Sequence, residues 1–321
     1  MYRIGIDLGG TNIAAGIVNE AYEIIAKGSV PTNAPRPGEE IVDDMAALCK
    51  KLCRDAGLTL AQIDSVGIAT PGIANDEAGT VDAAHNLGFF GFPILPLLRE
   101  RLDVPQMHVA NDANAAAWGE MIAGAAKGSH SSVMVTLGTG VGGGIIIDNK
   151  ILTGFNSAGA EIGHFTLEVD GRPCTCGKRG CWEAYSSATG LINMTKEKLA
   201  ECNASGRTTL MTDWISKAGK INGRTAFECM KAGDPAAKEV VDEYVKYLAC
   251  GLSSIINICA PEVLSIGGGI SGEGQLLLDL LTPPVHEQQF GAGYVPYTDL
   301  RIAQLGNDAG IIGAAALGVK S

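Results

Sequence analysis

The sequence has no run of basic residues, no apolar stretch long enough to cross a bilayer and no low-complexity linker. Each absence removes a class of function. Its 24 Lys and Arg stand against 35 Asp and Glu, a net charge of −11. Affinity for nucleic acid rests largely on cations that neutralise phosphates, so nucleic acid is excluded as a principal partner. With no apolar run of spanning length, no membrane partner is expected. The first residues, Met1-Tyr2-Arg3-Ile4-Gly5-Ile6-Asp7, read straight into a strand, without the charged and then apolar regions of a secretion signal. A cytoplasmic location is expected. No G-x-x-x-x-G-K-[ST] occurs, which argues against a P-loop nucleotide site.

Hydrophobic residues make up 46% of 321 residues and charged residues 18%. That is enough apolar material for two folded domains and too much for a disordered chain. Short apolar strands alternate with helically spaced segments, the mark of α/β domains. Ile4–Leu8 and Ile13–Val18 read as a hairpin, and residues 39–56 show helical spacing through Ile41, Met45, Leu48 and Leu52. Further strands are expected at 65–69, 107–110, 132–137, 145–148 and 263–266, and helices at 92–102, 113–126, across much of 187–260, from about Glu273, and over 307–319. Leu8-Gly9-Gly10-Thr11 and Leu137-Gly138-Thr139-Gly140 are both Leu-Gly turns between short apolar strands, which hints at two related halves.

The 43 glycines cluster into turns. Gly138, Gly140 and Gly143 fit G-x-G-x-x-G, but a β-branched strand follows where a dinucleotide site needs a helix. A hairpin turn made of glycines has another use. Its N–H groups lie open, with no Cβ in the way, and wrap a phosphate closely. Asp7, just before the first turn, is placed to hold Mg²⁺ or its waters. An ordinary tight hairpin with a polar edge residue accounts for one such turn. Two matched hairpins, with Gly267-Gly268-Gly269 as a third turn, favour phosphate binding.

Cys174, Cys176 and Cys181 form C-x-C-x4-C, ten residues after His164. Three thiolates and one imidazole are a common closed zinc set. The surrounding loop has little apolar content, so a metal would supply its order. The other six of the nine cysteines read as small core residues. Asp112 follows Asn111 at the start of a helix. It fits an N-cap and equally a general base facing a hydroxyl, which a helix N-terminus would keep ionised. Glu161 and Glu183 bracket the cysteine loop. They are either hydroxyl acceptors or solvated surface.

Together these segments resemble the ROK family (repressors, open reading frames and kinases). Asp7-Leu8-Gly9-Gly10-Thr11 is similar to its first phosphate motif, and Thr136 to Gly144 to its second. Asn111-Asp112-Ala113-Asn114-Ala115 resembles its catalytic segment. Glu161-Ile162-Gly163-His164, then Cys174-Thr175-Cys176-Gly177 and Gly180-Cys181-Trp182-Glu183, resemble its zinc and sugar signature, and Gly267 to Ser271 its adenosine-side turn.

The resemblance implies a two-domain, actin-like or hexokinase-type (ribonuclease H-like) α/β fold with an interdomain cleft. Residues 1–110 with 305–321 would form a smaller domain and residues 111–304 a larger one bearing the zinc loop. Gly72, Asn86, Asn111, Asp112, Glu161, His164 and Glu183 would bind sugar, with Asp112 as base. Asp7, Gly9, Gly10, Thr11, Gly138, Thr139, Gly140, Gly268 and Gly269 would bind ATP with Mg²⁺. His164, Cys174, Cys176 and Cys181 would hold structural Zn²⁺. The implied activity is ATP-dependent phosphorylation of a hexose 6-hydroxyl by a homodimer, with glucose as the first choice. N-acetylmannosamine, N-acetylglucosamine, fructose and allose stay open as substrates. The family also contains sugar-sensing repressors with an added N-terminal helix-turn-helix, for which a first motif beginning at Asp7 leaves no room. An actin-like structural ATPase would not need the sugar signature.

Overall fold

The structure, a computed structural model, describes residues 1–319. The chain forms two compact units. The first takes in residues 1–134, 144–160 and the segment from 303 onward, and the second takes in 135–143 and 161–302.

In the first unit, β1 (Tyr2–Leu8), β2 (Asn12–Val18) and β3 (Ile24–Pro31) are antiparallel neighbours. Apolar residues two apart, Ile4, Ile6 and Leu8, put one face of β1 into the core. Helix α1 (Gly38–Asp55) covers that face with Ile41, Met45, Leu48 and Leu52, one stripe at helical spacing. Glu39 and Glu40 lie in its first turn, where the helix dipole favours anions. β4 (Ile63–Thr70) adds to β1 in parallel. A small antiparallel sheet follows, made of β5 (Ile73–Asn75), β6 (Thr80–Ala84) and β7 (Phe89–Phe92). The helix expected over 92–102 shrinks to α2 (Ile94–Arg99), because Phe92 is spent in β7 and Pro93 caps the helix. β8 (Gln106–Asn111) completes the order β3-β2-β1-β4-β8 and runs directly into α3 (Asp112–Ala123). Helix α3 therefore groups with the first unit, past the boundary expected at residue 110.

The boundary between units passes through β9 (Ser132–Leu137) and β10 (Val141–Ile147). With β11 (Lys150–Ile151) they belong to a second sheet of order β11-β10-β9-β12-β13. The glycine turn is shorter than the sequence suggests, because Gly142, Gly143 and Gly144 are already strand. The second unit continues through α4 (Glu183–Ser186), α5 (Ala188–Ser205), α6 (Leu210–Ala218), α7 (Thr225–Lys231) and α8 (Pro235–Cys259). Helix α8 starts as its sequence dictates, with Pro235 at its first position and the Asp234 side chain accepting from Ala236 N at 2.9 Å. β12 (Val263–Gly267), α9 (Gln275–Gln288) and β13 (Asp299–Ile302) follow, with β12 and β13 parallel.

The chain then returns to the first unit as α10 (Ala309–Ala315), shorter than the 307–319 helix expected. It lies on β1 and β4 at a distance that only glycine permits. A Cβ on Gly5 or Gly67 would run into the carbonyl of Ile311 or Ala314. This seam sets α10 beside the end of β1, where Asp7 stands.

Candidate functional site

The first unit gathers two carboxylates beside a glycine turn. Asp7 is the half-buried residue between Ile6 and Leu8 near the end of β1, and Gly9 N–H closes the turn onto Asn12 O at 2.9 Å. The Thr32 hydroxyl pins the turn by donating to Gly9 O at 2.6 Å. At the β8–α3 junction the ambiguity between cap and base resolves. Asn111 is the N-cap: its Oδ1 accepts from Ala113 N at 2.9 Å and Asn114 N at 3.2 Å, and its Nδ2 donates to Gly72 O at 3.0 Å. Asp112 is the first helical residue, with Oδ1 accepting from Ala113 N at 2.8 Å. Burial, then the neighbouring Asp112 carboxylate, raise Asp7 to about 6, while Lys27 on β3 pulls the other way. Two acids that repel one another next to exposed amides form a site that gains from a divalent cation. Asn86 stands against Gly10, with its Nδ2 3.2 Å from where a Cβ of residue 10 would be.

The second unit holds the other turn. Gly138 N–H donates to Gly140 O at 3.0 Å, and Ala188 N–H, at the start of α5, donates to Gly138 O at 2.8 Å. The Thr189 hydroxyl donates to Thr139 O at 2.7 Å. Glu183 is half-buried and held in place: its Oε2 accepts from Val141 N at 2.9 Å and its Oε1 from the Thr175 hydroxyl at 3.1 Å. A cavity of about 600 Å³ opens here, lined among others by Thr139, Gly140, Cys174, Thr175, Glu183 and Lys196. The turn after β12 places Gly268 against the backbone of Leu137, so the second and third glycine turns are neighbours.

His164, Cys174, Cys176 and Cys181 converge, with their ligand atoms all within 4.8 Å of one another. Cys176 Sγ and Cys181 Sγ are 3.6 Å apart, and Cys174 Sγ lies 3.7 Å from His164 Nδ1. Sulfur atoms at that distance are not bonded to each other. It is close to the ~3.8 Å edge of a tetrahedron of Zn–S bonds, so the donor set fits zinc in both chemistry and spacing. Burial pushes the Cys181 thiol up to about 12, whereas the Lys178 backbone N–H lowers the exposed Cys176. A bound cation would bring both to thiolate. The loop is also tied without metal. Trp182 is fully buried and stacks on Phe165, and its Nε1 donates to Tyr247 O at 3.1 Å. The Tyr185 and Tyr247 hydroxyls each donate to Glu168 at 2.9 Å.

The expected site residues thus fall into two groups. Asp7, Gly9, Gly10, Thr11, Gly72, Asn86, Asn111 and Asp112 lie in the first unit; Gly138, Thr139, Gly140, Glu161, His164, the three cysteines, Glu183, Gly268 and Gly269 lie in the second. Four residues that shape them were not singled out from sequence. They are Lys27 and Gly310 beside Asp7, Thr32 on the first turn and Thr175 on Glu183. Only Thr175 had a signal, since it sits inside the C-x-C.

The ROK family pattern matches residues 3–321. Glucokinase from Streptomyces coelicolor is 36% identical over 314 residues, covering 98% of this chain and 96% of that protein. Glucokinase from Halalkalibacterium halodurans is 37% identical over 321 residues, covering 98% and 94% respectively. A solved ROK family glucokinase from Streptomyces griseus, in complex with glucose and AMPPNP, matches with a TM-score of 0.78 at 35% identity over 99% of each chain.

Proposed function

Since this chain belongs to the ROK family, we propose that it is a glucokinase, transferring the γ-phosphoryl group of ATP to the 6-hydroxyl of glucose. The observation that carries the reading is the pairing of Asp7, at a glycine turn, with Asp112, the first residue of α3. Phosphoryl transfer asks for positioned phosphates, compensation of their charge and an acceptor for the hydroxyl proton. The turns at Gly9–Thr11 and Gly138–Gly140 offer amides to the phosphates, and Gly268–Gly269 faces the adenosine. Asp112 takes the proton of the 6-hydroxyl as that oxygen bonds to the γ-phosphorus and the bond to the β-phosphate oxygen breaks, releasing ADP. Its place at a helix N-terminus favours the ionised form. Asp7 would hold Mg²⁺, which when bound neutralises phosphate charge.

Gly72, Asn86, Asn111, Glu161, His164 and Glu183 are the proposed sugar ligands. His164 with Cys174, Cys176 and Cys181 would hold Zn²⁺, whose contribution is to fix the loop that carries His164 and Glu183. A homodimer in the cytoplasm belongs to the same reading. Sedimentation tests the dimer, and a monomer at micromolar concentration removes it. No helix among the described residues is long and apolar enough to cross a membrane.

The test is a coupled assay of ADP release with ATP, Mg²⁺ and a panel of hexoses and N-acetylhexosamines. Glucose standing above the rest, with kcat in the ~1–10³ s⁻¹ range, is the expected result. N-acetylmannosamine, N-acetylglucosamine or fructose in first place would reassign the substrate. No turnover with any sugar, from protein shown to contain zinc, would overturn the kinase.

A further inference from the structure

The site described above leaves one buried acid without a role. Glu120, in the last turn of α3, has no exposed surface. Its donors are three backbone amides. Ala125 N–H donates to Oε2 at 2.7 Å, Leu305 N–H to Oε1 at 2.7 Å, and Gln304 N–H to Oε1 at 2.9 Å and Oε2 at 3.1 Å. A carboxylate buried near a helix C-terminus is in a poor place, because the dipole there favours cations. Full engagement of both oxygens offsets that cost. An apolar residue of the same size would remove the acceptor of the Gln304 and Leu305 amides, so polarity at this position is tied to the segment it holds.

That segment is where the chain re-enters the first unit. β13 ends at Ile302, and residue 303 is the first on the other side of the boundary. Glu120 therefore ties the crossing to the helix whose first residue is Asp112. The same helix is fixed to α10, with Trp118 Nε1 donating to Ala316 O at 3.1 Å. Residues 304–305, α3 and the end of α10 are thus joined by hydrogen bonds within the first unit.

We infer that Glu120 is a positioning residue, which anchors the 302–303 crossing to the helix that presents Asp112 and so keeps the crossing and the catalytic carboxylate in fixed register. The inference rests on the proposed kinase reading for its effect on turnover, but not for its effect on the segment. In Glu120→Gln one acceptor oxygen becomes an NH₂ donor facing amides, and the charge is lost.

The test combines amide exchange with kinetics. In the wild-type protein the Gln304 and Leu305 amides should exchange at least about tenfold more slowly than those of Gly306 and Asn307, which make no such bond. In Glu120→Gln that protection should vanish while α3 stays protected. Turnover per folded molecule should fall about tenfold or more, with glucose affinity within about threefold of wild type. A merely structural role would lower the melting temperature and leave kcat per folded molecule unchanged, and that result overturns the inference. So does fast exchange at 304–305 in the wild-type protein, a measurement that needs no variant to fold. Absence of wild-type turnover would strike the kinase reading alone, since the exchange data stand without it.

Discussion

The turn between β1 and β2 and the turn between β9 and β10 occupy equivalent places in two sheets of the same strand order, β3-β2-β1-β4-β8 and β11-β10-β9-β12-β13. Their surroundings differ. Two residues before Gly9 stands Asp7, with Asp112 and Lys27 close by; two residues before Gly138 stands the neutral Thr136. The first turn is pinned by the hydroxyl of Thr32, just after β3, the second by the start of α5 and by Glu183, which follows the cysteine loop. On the proposed reading, one backbone device has two jobs: the first half would carry the charge chemistry, and the second a neutral cradle whose shape depends on a loop with metal-ligand geometry.

If that division holds, the largest losses come from the carboxylates of the first half. Asp112→Asn should lower kcat about 10³- to 10⁴-fold, with the fold and most of the glucose affinity kept. Turnover near wild type would remove Asp112 as base. Asp7→Asn makes the first turn resemble the second and should cost about 10²- to 10³-fold through lost metal. It should also change stability in a direction fixed by sign. Asp7 is raised to about 6 in the fold, against ~3.9 in an unfolded chain. Its contribution to stability is therefore present below about pH 4 and lost as pH rises through 6. Relative to wild type, Asp7→Asn should gain on the order of 1–3 kcal/mol between pH 4.5 and pH 8, read from denaturant midpoints in EDTA. Saturating Mg²⁺ should shrink that gain. A gain independent of pH would mean that neither burial nor the Asp112 carboxylate raises Asp7 in the fold.

The next effect tests the second half. Cys176→Ser removes one of four ligands, so zinc content by elemental analysis and turnover should fall together, the latter about 10- to 100-fold. Glu183 is the link, because it accepts from Thr175 within the cysteine loop and from Val141 N at the turn. Full activity in a zinc-free protein would cut that link.

Where the sequence could be read, it was through local rules. Alternation gave β1 and β2, and helical spacing gave α1. The C-x-C-x4-C with His164 named all four residues that converge. The Asn111-Asp112 pair could not be divided by spacing, since either side chain caps a helix, and it took the bonds to Ala113, Asn114 and Gly72 to give the cap to Asn111. Lys27 and Gly310 were invisible because they reach Asp7 from distant parts of the chain. Gly142–Gly144 misled as a turn. They are strand, and at Gly144 a Cβ would collide with α3 around Ala113 and Ala117, so the glycine there serves packing. The three-stranded sheet of β5, β6 and β7 was missed because its strands are too short for a period to show.

The smallest effect compares the two turns most directly. Each has a glycine that makes room for a proposed sugar ligand. A Cβ on Gly10 would sit 3.2 Å from Asn86 Nδ2, a tight contact that a shift of a few tenths of an ångström relieves. A Cβ on Gly140 would overlap the Glu183 carboxylate, which must then move. Displacing Glu183 breaks its bond from Val141 N, whereas nudging Asn86 breaks no bond within the turn. Gly140→Ala should therefore raise KM for glucose about three- to tenfold, and Gly10→Ala by less than about threefold, with kcat changed less than KM in both. Losing one hydrogen bond to a charged acceptor is worth about 1.5 kcal/mol or more, roughly 13-fold if all of it reached KM, so the range expected for the first variant corresponds to part of that loss. Equal shifts in the two variants would mean that the turns make the same contribution to sugar binding. A shift confined to KM for ATP would mean that the glycines serve only the phosphates.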